Sequence, residues 1–466
     1  MNFKKLPRFA LLALLGLSCG CSNITSSTEG TDTPGTNDGK TEVVFWHTMG
    51  ATNQEYLNAF IKSFEEENPD IKVTHAAQGG YTDIESKLLK AIPAKTTPTM
   101  AFCYPDHVAN YIKSGSAVKL NDYINNAEYG LTADELKDYQ DAGFWSEGSD
   151  SYGADGSVYS VPFSKSTEVL FMNTTWMVKN GFVDANDPTK PFVPTTWEEM
   201  WDLCAKIKAK DESITPLGYD SDDNMFITLC EQYGIPYTSL VDGMGSIDFN
   251  NAQAKALVTE LKGYYDKGYF KTKGTLPNNS YTSTQFVEEK LIMSIGSTGG
   301  TKYNVPTTDN GDMAFNVEVF RIPQANPNAP KVISQGPSIT FFKNSQISEA
   351  QVVASWKFYK HITNAYNSAA YAIFTGYEPV RESSYTSDIY QSHLNATGED
   401  VTLFTKVANL TATEEIKKAY FFSPVFVGSS VARQQAGGII TQVLLGEKTV
   451  DEAFDDAETE TIFAMA

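Results

Sequence analysis

The stretch EVVFWHTMGATNQEYLNAFIKSFEEENPDIKVTHAAQGGYTDIESKLLKAIPAKTTPTMAFC, residues 42–103, decides the fold. Three short β-rich runs, EVVFW (42–46), IKVTH (71–75) and TMAFC (99–103), alternate with two helical segments. Leu57, Phe60, Ile61 and Phe64 share one face of the first, and Ile84, Leu88 and Ile92 share one face of the second. Thr52 with Glu55, and Thr82 with Glu85, have the spacing of capping boxes and place the helix starts there. Pro69 ends the first helix, because proline cannot donate the next backbone hydrogen bond. A β-α-β-α-β order implies a parallel sheet with right-handed crossovers.

The alternation resumes further on. TTWEEMWDLCAKI opens on Thr196 and Glu199, a further capping box, and carries Trp197, Met200, Trp201 and Cys204 on one side. ITPLGY (214–219), KLIMSI (290–295), EVFRI (318–322) and SITFF (338–342) read as strands. Helices are expected over 253–265 and 347–363, and the rest of the chain reads as mainly helical. With 466 residues and 41% hydrophobic content, the chain can build more than one core, so two or three domains are expected.

The N-terminus reads as an export signal. Lys4, Lys5 and Arg8 precede the apolar run FALLALLGLS (9–18), which is too short to span a bilayer. Residues 22–40, SNITSSTEGTDTPGTNDGK, have no apolar period and read as a flexible tether. GTNDGKT within them is not a phosphate-binding loop, since Pro34 stands where the first glycine belongs and no strand precedes it.

Composition excludes several classes. The formal net charge is −21, and no stretch concentrates Lys and Arg among aromatics, so a nucleic-acid partner is not expected. Beyond Cys19 and Cys21 the cysteines are Cys103, Cys204 and Cys230, without CxxC spacing and each in an apolar stretch, which reads as buried thiols. GSTGG (296–300) places Thr298 where a hydrolase elbow needs serine, and no HExxH occurs. Asp220, Asp222, Asn224 and Glu231 match calcium-loop positions, but Met225 stands where that loop needs glycine, so no metal or cofactor is expected.

Ligands of open α/β sheets bind beyond the C-terminal strand ends. Those ends carry Trp46, His47 and Thr48; Tyr104, Pro105 and Asp106; Asp220, Ser221, Asp222 and Asp223; and Gly296, Ser297 and Thr298. Aromatic rings, hydroxyls and carboxylates are what a polyhydroxylated ligand needs: ring faces for its apolar sides and acceptors for its hydroxyl protons. Taken singly, each position reads as a cap or turn. Their recurrence at four strand ends points to a binding cleft and non-covalent capture, not to an enzyme.

In order along the body, EVVFWHTMGATNQEYLNAFIKSFEEENPDIKV, QGGYTDIESKLLKAI, YSVPFSKSTEVLFMNTTWM, EEKLIMSIGSTGG, SQGPSITFF and FTGYEPVRES resemble family 1 of the bacterial extracellular solute-binding proteins, in its glycerol-3-phosphate- and maltose-binding branch. LSCGC likewise resembles a lipobox, with Cys21 as the lipidated residue and Cys19 as a second candidate. The resemblance implies a two-lobe α/β fold of the class II periplasmic-binding-protein type. It implies crossings near 160–165, 296–300 and 343–346, with lobe 1 at 42–161 and 299–344 and lobe 2 at 162–298 and 345–466, after a signal at 1–20 and a tether at 21–41.

It also implies a monomeric, lipid-anchored, extracytoplasmic binding protein of an ABC importer, handing a carbohydrate to permease subunits. Tyr81, Ser166, Gly336 and Tyr377 fall on family ligand positions and join His47, Asp106, Asp222 and Ser297 as candidate contacts. The family's phosphate-meeting arginine falls on Phe426, with Arg433 expected two helical turns away, which favours an uncharged sugar stacked on Phe426 and Tyr219. The alternatives are a glycerol-3-phosphate-type or other polar-solute binder and a surface lipoprotein acting as an adhesin or structural protein.

Overall fold

The computed structural model describes residues 39–149, 156–241 and 243–466. The expected signal, the lipidation candidates Cys19 and Cys21, and nearly all of the tether lie outside the described residues.

Two five-stranded sheets organise the chain. In space the first runs Ile71–Ala77, Thr41–His47, Met100–Cys103, Ser338–Phe341, Ser160–Pro162. Its first three strands are parallel, as the β-α-β-α-β reading requires, and Ser338–Phe341 runs antiparallel to both neighbours. The second runs Val317–Arg321, Glu168–Asn173, Leu291–Ser297, Thr215–Tyr219, Phe270–Thr272. Each sheet has its own core. Phe45, Phe64, Phe102, Trp356 and Tyr359 anchor the first, and Trp197, Tyr219, Phe226 and Phe454 the second. This is the two-lobe α/β architecture expected.

The lobe boundaries differ from those expected. Strand Val317–Arg321 pairs with Glu168–Asn173 in the second sheet, so only the end of 299–344 joins the first. Helix Glu349–Ile362 lies on strand Thr41–His47 and buries Val352, Trp356 and Tyr359 in the first core. The reason is packing: Trp356 finds Phe341, with ring centroids 6.1 Å apart. The crossings shift accordingly. The one near 160–165 is present and a second is at 334–337, not at 296–300, while beyond 343–346 the chain stays on the first lobe through Val380 in its core and the bonds of Arg381 and Ser383 to Asp138. They lie side by side. Ser166 and Gln335 exchange backbone hydrogen bonds of 2.7 and 2.8 Å, and Lys165 and Glu378 exchange bonds of 3.1 and 2.6 Å.

Two helix starts also differ. Helix Ala51–Glu67 is capped by Gly50 and helix Tyr81–Ala94 by Gly80, whose N–H donates to Asp83 at 2.8 Å. Thr196 and Glu199 do form a capping box. Cys103, Cys204 and Cys230 are free and buried. Among the described residues no helix is long and apolar enough to cross a membrane.

Candidate functional site

A cleft with about 580 Å³ of empty space, part of it open to solvent, lies between the lobes. Tyr104, Pro105 and Asp106 reach it from the first lobe, Lys165, Gln335 and Gly336 from the crossings, and Tyr237, Phe422, Val425 and Arg433 from the second lobe. The local sequence explains several placements. Tyr104 ends strand Met100–Cys103, Pro105 opens helix Pro105–Lys113, and Asp106 lies in its first turn, where a carboxylate suits the helix dipole. Arg433 lies on helix Ser429–Leu445. At Gly437 that helix comes so close to helix Asp222–Tyr233 that an added Cβ would sit 3.3 Å from the Asp223 nitrogen.

Arg433 joins the two lobes. Its Nε donates to Asp106 Oδ2 at 3.2 Å, and its Nη1 donates to Asp223 Oδ2 at 3.0 Å and Asn224 Oδ1 at 2.7 Å. Burial opposes the guanidinium charge, but Asp223 and Asp106 outweigh it and raise the pKa. Asn224 then donates to Gln335 Oε1 at 2.9 Å and Glu168 Oε1 at 3.2 Å, while the Tyr219 hydroxyl donates to Glu168 Oε2 at 2.5 Å. Burial pushes Glu168 up to about 8, and these hydrogen bonds only partly offset it.

The crossings carry a second polar group. Lys165, fully buried, donates to Glu147 at 2.5 Å and to the Gly336 carbonyl at 3.2 Å, and Ser334 donates to the other Glu147 oxygen at 2.5 Å. Gly336 holds φ +101°, and a Cβ there would lie 2.6 Å from the Ser164 carbonyl oxygen, so the position requires glycine. Next to it, burial pushes Glu378 up to about 7, partly offset by the hydrogen bond that Tyr420 donates at 2.5 Å.

Of the residues singled out in the sequence, Asp106 and Gly336 line the cavity. Tyr81 stacks on Tyr104 with centroids 3.9 Å apart. Tyr377 packs over Gly299, and its hydroxyl is pushed up to about 12 by burial and by nearby Tyr303 and Tyr281, both exposed. Ser166 meets Gln335 through its backbone, and Ser297 caps the turn Thr298–Asn304.

Four are committed elsewhere. His47 is fully buried, bonded to His75 at 2.8 Å and accepting from the Met49 N–H at 3.1 Å. Asp222 accepts from Thr272 at 2.5 Å, Gly274 N–H at 2.9 Å and Thr441 at 3.1 Å. The Phe426 ring is pressed against Gly245, and Tyr219 is fully buried, so neither offers a free face. Arg433, expected two turns away, lines the cavity instead. The fragment with calcium-loop spacing is consumed by protein donors: Asp220 accepts from the Thr282 N–H at 2.8 Å, and Asp222 as above. Sequence reading missed Lys165, Glu147, Tyr237, Gln335 and Phe422. A lone lysine in PFSKST, between the apolar residues 161–163 and 169–172, was the one available signal.

The family described as bacterial extracellular solute-binding protein matches residues 59–398. The sn-glycerol-3-phosphate-binding periplasmic protein UgpB of Escherichia coli (strain K12) is 25% identical over 361 residues, covering 74% of this chain and 75% of that one. UgpB from Mycobacterium tuberculosis, solved with glycerophosphocholine, superposes with a TM-score of 0.73 at 16% identity, covering 91% of this chain and 98% of that one. The cyclic alpha-maltosyl-1,6-maltose binding protein from Arthrobacter globiformis gives 0.66 at 21% identity, covering 92% and 99%. With the family profile spanning most of a chain folded as two lobes about a cavity, this protein belongs to the bacterial extracellular solute-binding protein family.

Proposed function

We propose that this protein is the extracytoplasmic, lipid-anchored capture component of an ABC importer, that its solute is a carbohydrate, and that it acts without catalysing a reaction. One observation carries the reading: the inter-lobe cavity combines aromatic side chains, Tyr104, Tyr237 and Phe422, with cations that are each already bonded to a carboxylate, Arg433 to Asp106 and Lys165 to Glu147. Rings can stack on the apolar faces of a sugar, and the polar edges can exchange hydrogen bonds with its hydroxyls. Tyr81, stacked on Tyr104, and Ser166, bonded through its backbone to Gln335, would support that wall, Ser297 and Tyr377 are further candidate contacts, and lobe closure about the crossings would seal the ligand. Relatives described with glycerophosphocholine, cyclic alpha-maltosyl-1,6-maltose or sn-glycerol-3-phosphate as ligand support a small polar solute. Cys21 would hold the protein at the membrane, and permease subunits would receive the ligand.

Thermal unfolding of the purified protein against mono- and oligosaccharides tests this. A ligand that binds only the folded state raises the midpoint by mass action. A rise with one glycan class supports capture and names the class. No rise with any glycan or small polar solute removes the reading and favours a surface-interaction role.

A further inference from the structure

We infer that Asp106 and Asp223 act as anion-excluding specificity determinants, by holding the Arg433 guanidinium between them. This rests on the reading of the inter-lobe cavity as the capture site. Arg433 is the cation that any phosphate or carboxylate entering from the second-lobe side would seek. Its Nε is taken by Asp106 at 3.2 Å, and its Nη1 by Asp223 at 3.0 Å and by Asn224 at 2.7 Å. Two carboxylates therefore face one guanidinium, and the local charge is negative before any ligand arrives. A phosphate ester would have to displace one carboxylate and sit beside the other, and like-charge juxtaposition opposes this strongly. A neutral polyol meets no such barrier.

A second observation points the same way. Asp106 Oδ1 is buried and has no hydrogen-bond partner among the described residues, lying 3.8 Å from His107 Nε2, although its sister oxygen bonds Arg433. A buried carboxylate oxygen at a cavity wall calls for a donor, which a sugar hydroxyl supplies and a phosphate dianion does not. The arrangement thus occupies Nε and Nη1 of the arginine and leaves an acceptor beside them. Asp223 reaches Arg433 from the first turn of its helix, held there by its contact with Ser221, while Asp106 comes from the other lobe. Exclusion is therefore complete only when the lobes are together.

The test uses the purified full chain, with sn-glycerol-3-phosphate and inorganic phosphate as anionic probes and calorimetric titration as the readout. Wild type is expected to bind neither. Asp223→Asn and Asp106→Asn, which keep shape and remove charge, are each expected to gain glycerol-3-phosphate binding by about tenfold or more. Adding Arg433→Gln to either is expected to abolish the gain. Wild-type binding of glycerol-3-phosphate as tight as that of the variants overturns the inference, as do folded variants that gain nothing. Should Asp106→Asn fail to fold, Asp223→Asn decides alone, since its side chain is 30% exposed. A wild type that binds no glycan, beside variants that gain phosphate-ester binding through Arg433, removes the carbohydrate reading and leaves this one standing.

Discussion

Lys165 Nζ lies 2.5 Å from Glu147 Oε2, and both side chains are buried where the chain crosses between the lobes. Removing one member of such a pair strands an uncompensated charge. Lys165→Met is therefore expected to destabilise the protein by about 3–5 kcal/mol. Lys165→Met combined with Glu147→Gln is expected to cost much less, and urea unfolding of the four forms measures the coupling.

Glu168 and Glu378 set an alkaline slope. Their ordinary pKa of 4.5 is raised to about 8 and about 7 by burial, so folding favours the protonated forms. That contribution is complete below pH 4.5 and is lost as pH rises through about 7 and then about 8. Glu168→Gln is expected to flatten the decline, which chemical unfolding at a series of pH values reads directly.

His47 sets the opposite slope. The Met49 N–H donates to its Nδ1, so its Nε2 carries the proton and donates to His75 Nδ1, whose Nε2 faces Asn58 Oδ1 at 2.9 Å. Both rings are thus held neutral, and burial, then His75, lowers His47 to about 4. The stability this gives is present above the ordinary value of 6.5 and is lost as pH falls towards about 4. Histidine NMR signals followed by pH titration should show His47 still neutral at pH 5.

Gly336 admits no side chain. Gly336→Ala would meet both the positive φ and the Ser164 carbonyl at 2.6 Å. A loss of at least about 1 kcal/mol is expected, together with weakened ligand binding, because the backbone bonds at Ser166 and Gln335 must shift. Thermal unfolding and titration of the same sample check both.

Tyr104 and Tyr237 approach the cavity from opposite lobes. Replacing either by Ala is expected to weaken carbohydrate binding by about tenfold, in line with roughly 1 kcal/mol or more for an aromatic contact. Loss at only one of the two would place the ligand against a single lobe.

Local physics made the parallel part of the first sheet readable. The apolar spacing of Leu57, Phe60, Ile61 and Phe64 is a signal carried within one turn or two, as is the Thr196–Glu199 box of the second lobe. The helix starts at Gly50 and Gly80 were missed because each glycine does the capping without a side-chain oxygen, while Thr52 and Thr82 lie just inside. Lobe membership was harder. Strand Val317–Arg321 and helix Glu349–Ile362 have no local mark of which sheet they join, since that is fixed by partners far along the chain. The site shows the same divide. Asp106 and Gly336 follow strand-end and turn logic, whereas Arg433 enters through the close approach of two helices at Gly437.

The place of Ser338–Phe341 in the first sheet, between Met100–Cys103 and Ser160–Pro162, bears on how the chain is made. Cys103 and the Ser338 that caps its edge are 235 positions apart. A nascent chain emerging N-terminus first would hold two open strand edges until that late segment arrives, and such edges invite wrong pairing. Closure of so long a loop is slow. The first sheet therefore stays unfinished until that segment, and the helix Glu349–Ile362 after it, has been made, and a holding chaperone would act on the half-built sheet.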